Sequence, residues 1–547
     1  MMRSLSRFTV TAAVALAAVA LVGCGSVSKP PGATSTQGNG STSGGGAAGA
    51  QSSTFTYDTY TQVMIGWDPS TAYSNEIIAM HDMYETLTMY DSTTQTVKPL
   101  LATSWSHNSA GTEWTFHLHH GVHFHTGRLM TSASVKASIM RTIHLNQGAA
   151  YIWGSVKSIS TPSAYTVVFH LKYPAPLDLI SSAGYAAYIF DTHAAGSPSK
   201  LTSWFNAGHD AGTGPYTVAQ YTKGAETELR LKAFPQYWGG WSGHHYTRVV
   251  FRVVPTASTA VQLLQSGQVS WVEQMTPQLW KSLKGQSNIT TTSASSYQNL
   301  FAMLNTASGP LKNVDVRRAL ADATDYSGAI SALQGSFVSS HGIIPKGLWG
   351  YDPSLNSSTT NVAEAKRLLA QAGYGPGKRK LTLTLTYTQG DTDEQTIATL
   401  MKSEYAPLNI DLNIEPLQWA TQWAKAKSSN VSSRQDILMF YWWPDYADPY
   451  SWFINLFHSA NPVSYNLAYL NDPTVNSEID RVESMSATNR SGAIALYHRI
   501  EGQLISSGAA LFLGTQVYQR AYLSSVGGYV DNPAYPNVVF AYDLTPR

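Results

Sequence analysis

The sequence predicts an α/β protein with mixed sheets rather than a helical bundle or an all-β sandwich. Two observations carry that prediction. Strand-like and helix-like segments alternate through the C-terminal half, while the N-terminal half reads as short paired strands. Lys380–Tyr387 alternates strictly, with Leu381, Leu383 and Leu385 on one face, as a half-buried strand does. Asp391–Tyr405 has helical composition and leads to Asn409–Ile414, where Ile410, Leu412 and Ile414 alternate again. Strand, helix and strand at that spacing predict a βαβ unit. Asn361–Ala372 reads as an amphipathic helix: Asn361 caps it, Glu364 stands three residues on, Leu368 and Leu369 face inward, and Gly373 stops it. A second helix follows Asp315, with Val316, Ala319, Leu320 and Ala323 on one stripe, and a third covers about Ser491–Ile505. In the N-terminal half, Trp114–Leu118 followed by Gly121–Phe124 predicts a hairpin, and Tyr165–Lys172 an exposed edge strand. Asp436–Trp442 has the composition of a buried strand, which Pro444 ends.

Ahead of these elements, Arg3 and Arg7 flank the start of an apolar run from Phe8 to Val22. It is long enough for a signal h-region and short for a bilayer span. The run ends in Leu21-Val22-Gly23-Cys24, the pattern of a bacterial lipoprotein signal, and Cys24 is the only cysteine in 547 residues. The expectation is a signal peptide at 1–23 and a lipid thioether on Cys24. The protein would then sit on the outer face of the cell membrane, in the periplasm if the host is Gram-negative. Residues 24–53 are Gly-, Ser- and Thr-rich and read as a flexible tether. One cysteine permits no intrachain disulfide. Charged residues make up 13% of the chain against a typical share of about a quarter, and the net charge is +1, which excludes a nucleic-acid footprint. So sparse a charge pattern also suits an acidic working environment, where carboxylates titrate.

Several phrases then occur in one order. They are Tyr84-Glu85-Thr86-Leu87, Pro99-Leu100-Leu101-Ala102-Thr103-Ser104-Trp105, Gly212-Thr213-Gly214-Pro215-Tyr216, and Asn305 shortly before Val316-Arg317-Arg318-Ala319-Leu320. Ala365–Tyr374 and Trp443-Pro444-Asp445-Tyr446-Ala447-Asp448-Pro449 complete the series. Over about residues 57–520 the chain thereby resembles the family 5 extracellular solute-binding proteins, the oligopeptide-, dipeptide- and nickel-binding receptors of ABC importers. The resemblance implies a class II periplasmic-binding-protein fold of two lobes that close on ligand. Lobe I would hold 54–305, including an extra subdomain at about 81–212, and the C-terminal return 515–547. Lobe II would hold 306–514. It also implies a monomer with an ABC permease as partner, a peptide as ligand, and no cofactor.

The segment Tyr441–Pro449 carries the ligand expectation. A carboxylate at a strand end flanked by aromatic rings suits a peptide's α-ammonium. By resemblance Asp445 holds that group, while backbone groups of Tyr441 and Trp443 hold the ligand as an added strand. Asp448, before Pro449, reads as a helix cap. Trp442 and Trp443 stand where the family has small residues. With Trp419 and Trp423 they also suit stacking of sugar rings, although Trp419 and Trp423, four apart, read first as a packed helix stripe. An oligosaccharide-binding or nickel-binding receptor of the same fold is therefore the alternative.

His117, His119, His123 and His125 form a weak metal motif, set against a solvated hairpin face. Gly212-Thr213-Gly214 lacks the lysine and helix of a phosphate loop and reads as a turn. Arg317-Arg318 offers a ligand carboxylate a partner, though adjacent helix positions face different ways. No serine elbow, HExxH or cysteine nucleophile is present, so no enzyme is expected. A glycoside hydrolase using Asp445 and Asp448 is the remaining catalytic reading.

Overall fold

Two long strands, Ile289–Leu304 and Ala510–Leu523, run antiparallel through the centre of the protein. Both belong to a sheet of 11 strands among the described residues. The computed structural model describes residues 53–547. The signal segment, Cys24 and all but the last residue of the tether lie outside them. Among the described residues no helix is long and apolar enough to cross a membrane.

On one side of the central pair lie Ile437–Trp442, Leu381–Thr388 and Ile410–Leu417 in that order. On the other lie Trp271–Val272, Thr54–Thr59, Arg248–Val253, Thr227–Ala233 and Tyr216–Tyr221. Leu381–Thr388 pairs parallel with Ile410–Leu417 through the helix Thr392–Tyr405, which is the expected βαβ unit. The helices Val362–Gln371, Val314–Ala323 and Arg490–Ser507 form where periodicity places them, and Asn361 accepts the Glu364 N–H as its cap. The inward stripe of Val362–Gln371 is Ala365, Leu368 and Leu369, all buried in one core with Leu320 and Leu383.

The ladder between the long strands breaks register between Ser295 and Asn299 and again between Leu300 and Phe301. Gly514 faces Leu300 at this break with φ +154°, and a Cβ there would stand 3.0 Å from both the Ile330 side chain and the Val338 carbonyl. A side chain would therefore push against the segment that holds Ile330 and Val338, at the point where the ladder is irregular.

The N-terminal half corrects two expectations. Glu113–Leu118 does not form a hairpin with Gly121–Phe124; it pairs with Ala102–His107 and Thr166–Leu171 in a four-stranded sheet. Thr166–Leu171 is an interior strand, flanked also by Val156–Ser163, rather than an edge. Its Val167, Phe169 and Leu171 point into the core, so the local alternation was correct and only the partners, which are distant in sequence, were not.

Gly212 and Gly214 answer a close approach rather than a turn. A Cβ on Gly212 would lie 2.0 Å from the Met83 carbonyl oxygen, and one on Gly214 2.6 Å from the Met83 carbonyl carbon. The Gly214 N–H donates to that same carbonyl at 3.0 Å, pinning the segment to the end of the helix Ile77–Met83.

Candidate functional site

Ile437–Trp442 is paired along its whole length on one side, from Ile437 opposite Leu304 to Trp442 opposite Asn299. On the other side Leu381–Thr388 reaches only Ile437 and Leu438. From Met439 onward that edge has no strand partner among the described residues. The chain leaves the sheet through Trp443 and Pro444 and places Asp445 beside a cavity of about 40 Å³.

Asp445 is buried, and its main chain is fixed on both sides. Its N–H donates to Ser451 Oγ at 3.0 Å, and its carbonyl accepts the Gly184 N–H at 2.8 Å. The side chain takes hydrogen bonds from Tyr151 Oη (2.6 Å), Asn455 Nδ2 (3.1 Å) and Ser451 Oγ (3.3 Å), and all three arrive at Oδ2. None reaches Oδ1, and no Lys, Arg or His forms an ion pair with the carboxylate among the described residues. Burial pushes the Asp445 carboxyl up to about 6, against the lowering pull of these three donors. Asp448, three residues on, holds local structure: its Oδ1 accepts the Tyr450 N–H at 2.8 Å and the Tyr497 hydroxyl at 3.3 Å, as a helix cap does.

Aromatic rings form the rest of the wall. Tyr73, Tyr185, Trp419, Trp423, Trp442, Trp443 and Tyr465 line the cavity with Tyr441 and Asp445. Trp419 and Trp423 lie 5.5 Å apart between ring centroids, and Trp423 stacks on Tyr73 at 5.8 Å. These two tryptophans are only partly buried and face the cavity, so the helix stripe is a site wall and not core packing alone. Trp443 Nε1 donates to Tyr185 Oη at 3.2 Å.

A second space of about 60 Å³ adjoins the first, sharing Ser74, Trp419, Phe440, Tyr441 and Trp443, and adds Tyr60, Glu273, Gln298, Glu394 and Asn537 to the wall. Tyr441 Oη reaches toward this side and donates to Asp391 Oδ1 at 3.4 Å.

Sequence reading found Tyr441, Trp442, Trp443 and Asp445, and the structure brings them together. It missed Tyr73, Tyr151 and Tyr185, which approach from more than 250 residues upstream and have no local motif; the Tyr151–Asp445 bond spans 294 residues. Glu394 did carry a signal, three residues after Asp391, but that spacing reads as a capping box.

The other candidate residues are used elsewhere. Arg317 donates to the carbonyls of Leu311, Lys312 and Ser507, and Arg318 to that of Ser506, tying helices together instead of facing a ligand. One of the four histidines departs from the expected solvated face. His125 is 3% exposed and bonds Asp210 through Nδ1 and the Gly214 carbonyl through Nε2. Burial disfavours its charged ring, but the Asp210 carboxylate outweighs this and holds His125 above its ordinary value. His123 turns its ring onto the Gly121 carbonyl, His119 packs on Trp238, and His117 is exposed. Among the described residues no group of three His, Cys, Asp or Glu side chains is placed to hold a metal.

A mixed-sheet scaffold that closes an aromatic cavity over a strand end is the build of a solute-binding protein. The family model of bacterial extracellular solute-binding proteins, family 5 middle, matches residues 96–464, and the chain belongs to that family. A probable D,D-dipeptide-binding periplasmic protein of Escherichia coli (strain K12) is 27% identical over 481 residues, covering 85% of this chain and 89% of the relative. Heme-binding protein A of Haemophilus influenzae is 24% identical over 543 residues, covering 93% and 94%. The oligopeptide-binding protein of Bacillus subtilis, solved with a nonapeptide, superposes with a TM-score of 0.80 at 18% identity, over 90% of this chain and 99% of that one, and shares the fold.

Proposed function

We propose that the protein is the membrane-tethered receptor of an ABC importer that captures peptides between two closing lobes and delivers them to a permease. The observation that carries this reading is the Asp445 carboxylate, buried at a strand end with every hydrogen bond on Oδ2 and none on Oδ1. A peptide α-ammonium supplies what Oδ1 lacks, a charge-assisted donor in a low-dielectric setting. The unpaired edge from Met439 to Trp442 supports an extended ligand held through the backbone of Tyr441 and Trp443. Peptide names among the relatives agree with this.

Lobe I is assigned to 54–305 and 515–547, with the extra subdomain at about 81–212, and lobe II to 306–514. The register breaks at Ser295–Asn299 and opposite Gly514 support a hinge where the two long strands cross between the lobes. The small cavity accords with closed lobes, from which a ligand of peptide size enters or leaves by opening. A lipid on Cys24 and the tether at 24–53 would keep the receptor at high effective concentration beside its permease. Catalysis has no part in this reading.

The test uses alanyl-alanine amide and its N-acetyl derivative, titrated calorimetrically into ligand-free protein. The free amine should bind at least about 30-fold more tightly than the acetylated form, the loss of a buried charge pair being ~2–5 kcal/mol. Asp445→Asn should remove that difference. Equal binding of the two forms by the native protein would sink the α-ammonium role. A second reading, an oligosaccharide ligand, is favoured by Trp419 and Trp423 facing the cavity and by the unpartnered Nε1 groups of Trp419 and Trp442. Under it, Asp445→Asn would leave binding of a malto- or cello-oligosaccharide intact.

A further inference from the structure

The two halves of the central space differ in chemistry. Asp445 lines one half only; Glu273 and Glu394 line only the other. Neither half has a Lys, Arg or His in its wall. A zwitterionic peptide needs a cation for its carboxylate, and this wall offers two further carboxyl groups in its place.

Glu273 is 5% exposed and Glu394 fully buried. Each is satisfied through one oxygen alone. Glu273 Oε1 accepts Asn537 Nδ2 at 3.1 Å, and Glu394 Oε2 accepts the Thr388 N–H at 2.6 Å. Glu273 Oε2 and Glu394 Oε1 are buried with no hydrogen-bond partner. Capping does not account for them, because Asp391 Oδ1 already accepts the N–H groups of Asp393 and Glu394 at the start of the helix Thr392–Tyr405. Nor does a protein cation. Arg520 comes nearest, but its guanidinium bonds Asp531, the Asn537 side chain and the Glu273 main-chain carbonyl, not the Glu273 carboxylate. Burial, with Asp391 and Asp393 at the same helix end, holds the Glu394 carboxyl well above its ordinary value, and a cation brought by a ligand would favour its ionised form.

We propose that the Glu273–Glu394 side of the cavity is a subsite for a second cationic group of the ligand, an ammonium or guanidinium. The transported solute is then a basic peptide or peptide amide with positive charge at both ends, and a free carboxylate at the Glu end disfavours binding. A divalent metal does not fit, since no group of three His, Cys, Asp or Glu side chains is placed to hold one among the described residues. The inference rests on the assignment of Asp445 to one ammonium and adds the group at the opposite end.

Four compounds test it by calorimetry on the full chain: alanyl-lysine amide, alanyl-alanine amide, alanyl-glutamate and 1,5-diaminopentane. Alanyl-lysine amide should bind at least about tenfold more tightly than alanyl-alanine amide, and alanyl-glutamate most weakly. The double variant Glu273→Gln, Glu394→Gln should erase the lysine preference while leaving alanyl-alanine amide within about threefold. A native circular dichroism spectrum and a cooperative melt for that variant exclude misfolding; Glu394→Gln alone, which keeps an acceptor for the Thr388 N–H, serves if the double variant fails to fold. Equal affinity for the lysine and alanine amides, a lysine preference that survives both glutamine changes, or no binding of any cationic compound overturns the subsite. Binding of 1,5-diaminopentane that depends on Glu394, with no effect of N-acetylating the lysine peptide, would uphold the acidic subsite and reject the α-ammonium role of Asp445.

Discussion

The central cavity and the histidine-rich edge formed by the strand ends of the four-stranded sheet make opposite use of polar side chains. At the edge, His117, His119 and His120 border an open surface depression of about 560 Å³ with Tyr165 and Thr166. The central spaces hold only about 40 and 60 Å³. The larger hollow is the less demanding one. His117 and His120 are exposed, and water meets their hydrogen-bonding needs. In the centre, Glu273 and Glu394 are shut away from water with an oxygen each that no protein donor reaches, and Asp445 takes every side-chain hydrogen bond on one oxygen. A polar group in that state creates a demand that a ligand can meet, whatever the room around it. Chemistry, and not volume, separates the site from the surface.

Three measurements break or sharpen this contrast. The largest effect should come from pH. Burial raises Asp445 to about 6, so ligand-free protein holds the neutral acid below that pH, and the neutral acid cannot pair with an ammonium. Affinity for alanyl-alanine amide should rise as pH climbs through 6 and level off above it, with a fall of about tenfold on going from pH 7.5 to pH 5. A flat profile over that range would place the ammonium elsewhere.

A smaller effect concerns stability. Burial pushes Glu76, Glu85, Glu273, Glu483 and Glu501 each up to about 7. The folded state therefore binds more protons than the unfolded chain between the ordinary glutamate value of about 4.3 and 7, and stability falls as pH rises across that window. The melting temperature, followed by circular dichroism, should be higher at pH 5 than at pH 8 by roughly a few degrees. A lower melting temperature at pH 5 than at pH 8 would show that these carboxyl groups do not gain protons on folding.

The smallest effect is expected at the edge. Replacing His117 and His119 together with Gln should leave peptide-amide affinity within about twofold, because exposed groups remote from a ligand seldom couple to it. A larger change would connect the edge to the site.

Much of this was legible in the residues. The βαβ unit was readable because Leu381, Leu383 and Leu385 alternate and their partner strand follows one helix later, so the information is local. Asp445 was readable because Pro444 ends the strand and aromatic residues flank it. The Glu113–Leu118 hairpin was misread because its true partners include Thr166–Leu171, some fifty residues on, and alternation says which face is buried without saying against what. Trp419 and Trp423 were assigned to packing because a four-residue spacing defines a face but not its neighbour. Glu394 was hidden behind a capping pattern that Asp391 satisfies alone.

What the sequence determined by itself is therefore the class of fold, the places where helices and strands form, and the position of Asp445 just past a strand end. Those follow from periodicity, turn residues and composition, each acting over a dozen residues or fewer. The tertiary structure alone decided that Tyr151 takes up one oxygen of Asp445, that two tryptophans turn toward the cavity, and that Glu273 and Glu394 meet across it without a cation. Hydrogen-bond satisfaction and burial are properties of what surrounds a group, and here the surroundings come from segments more than a hundred residues apart.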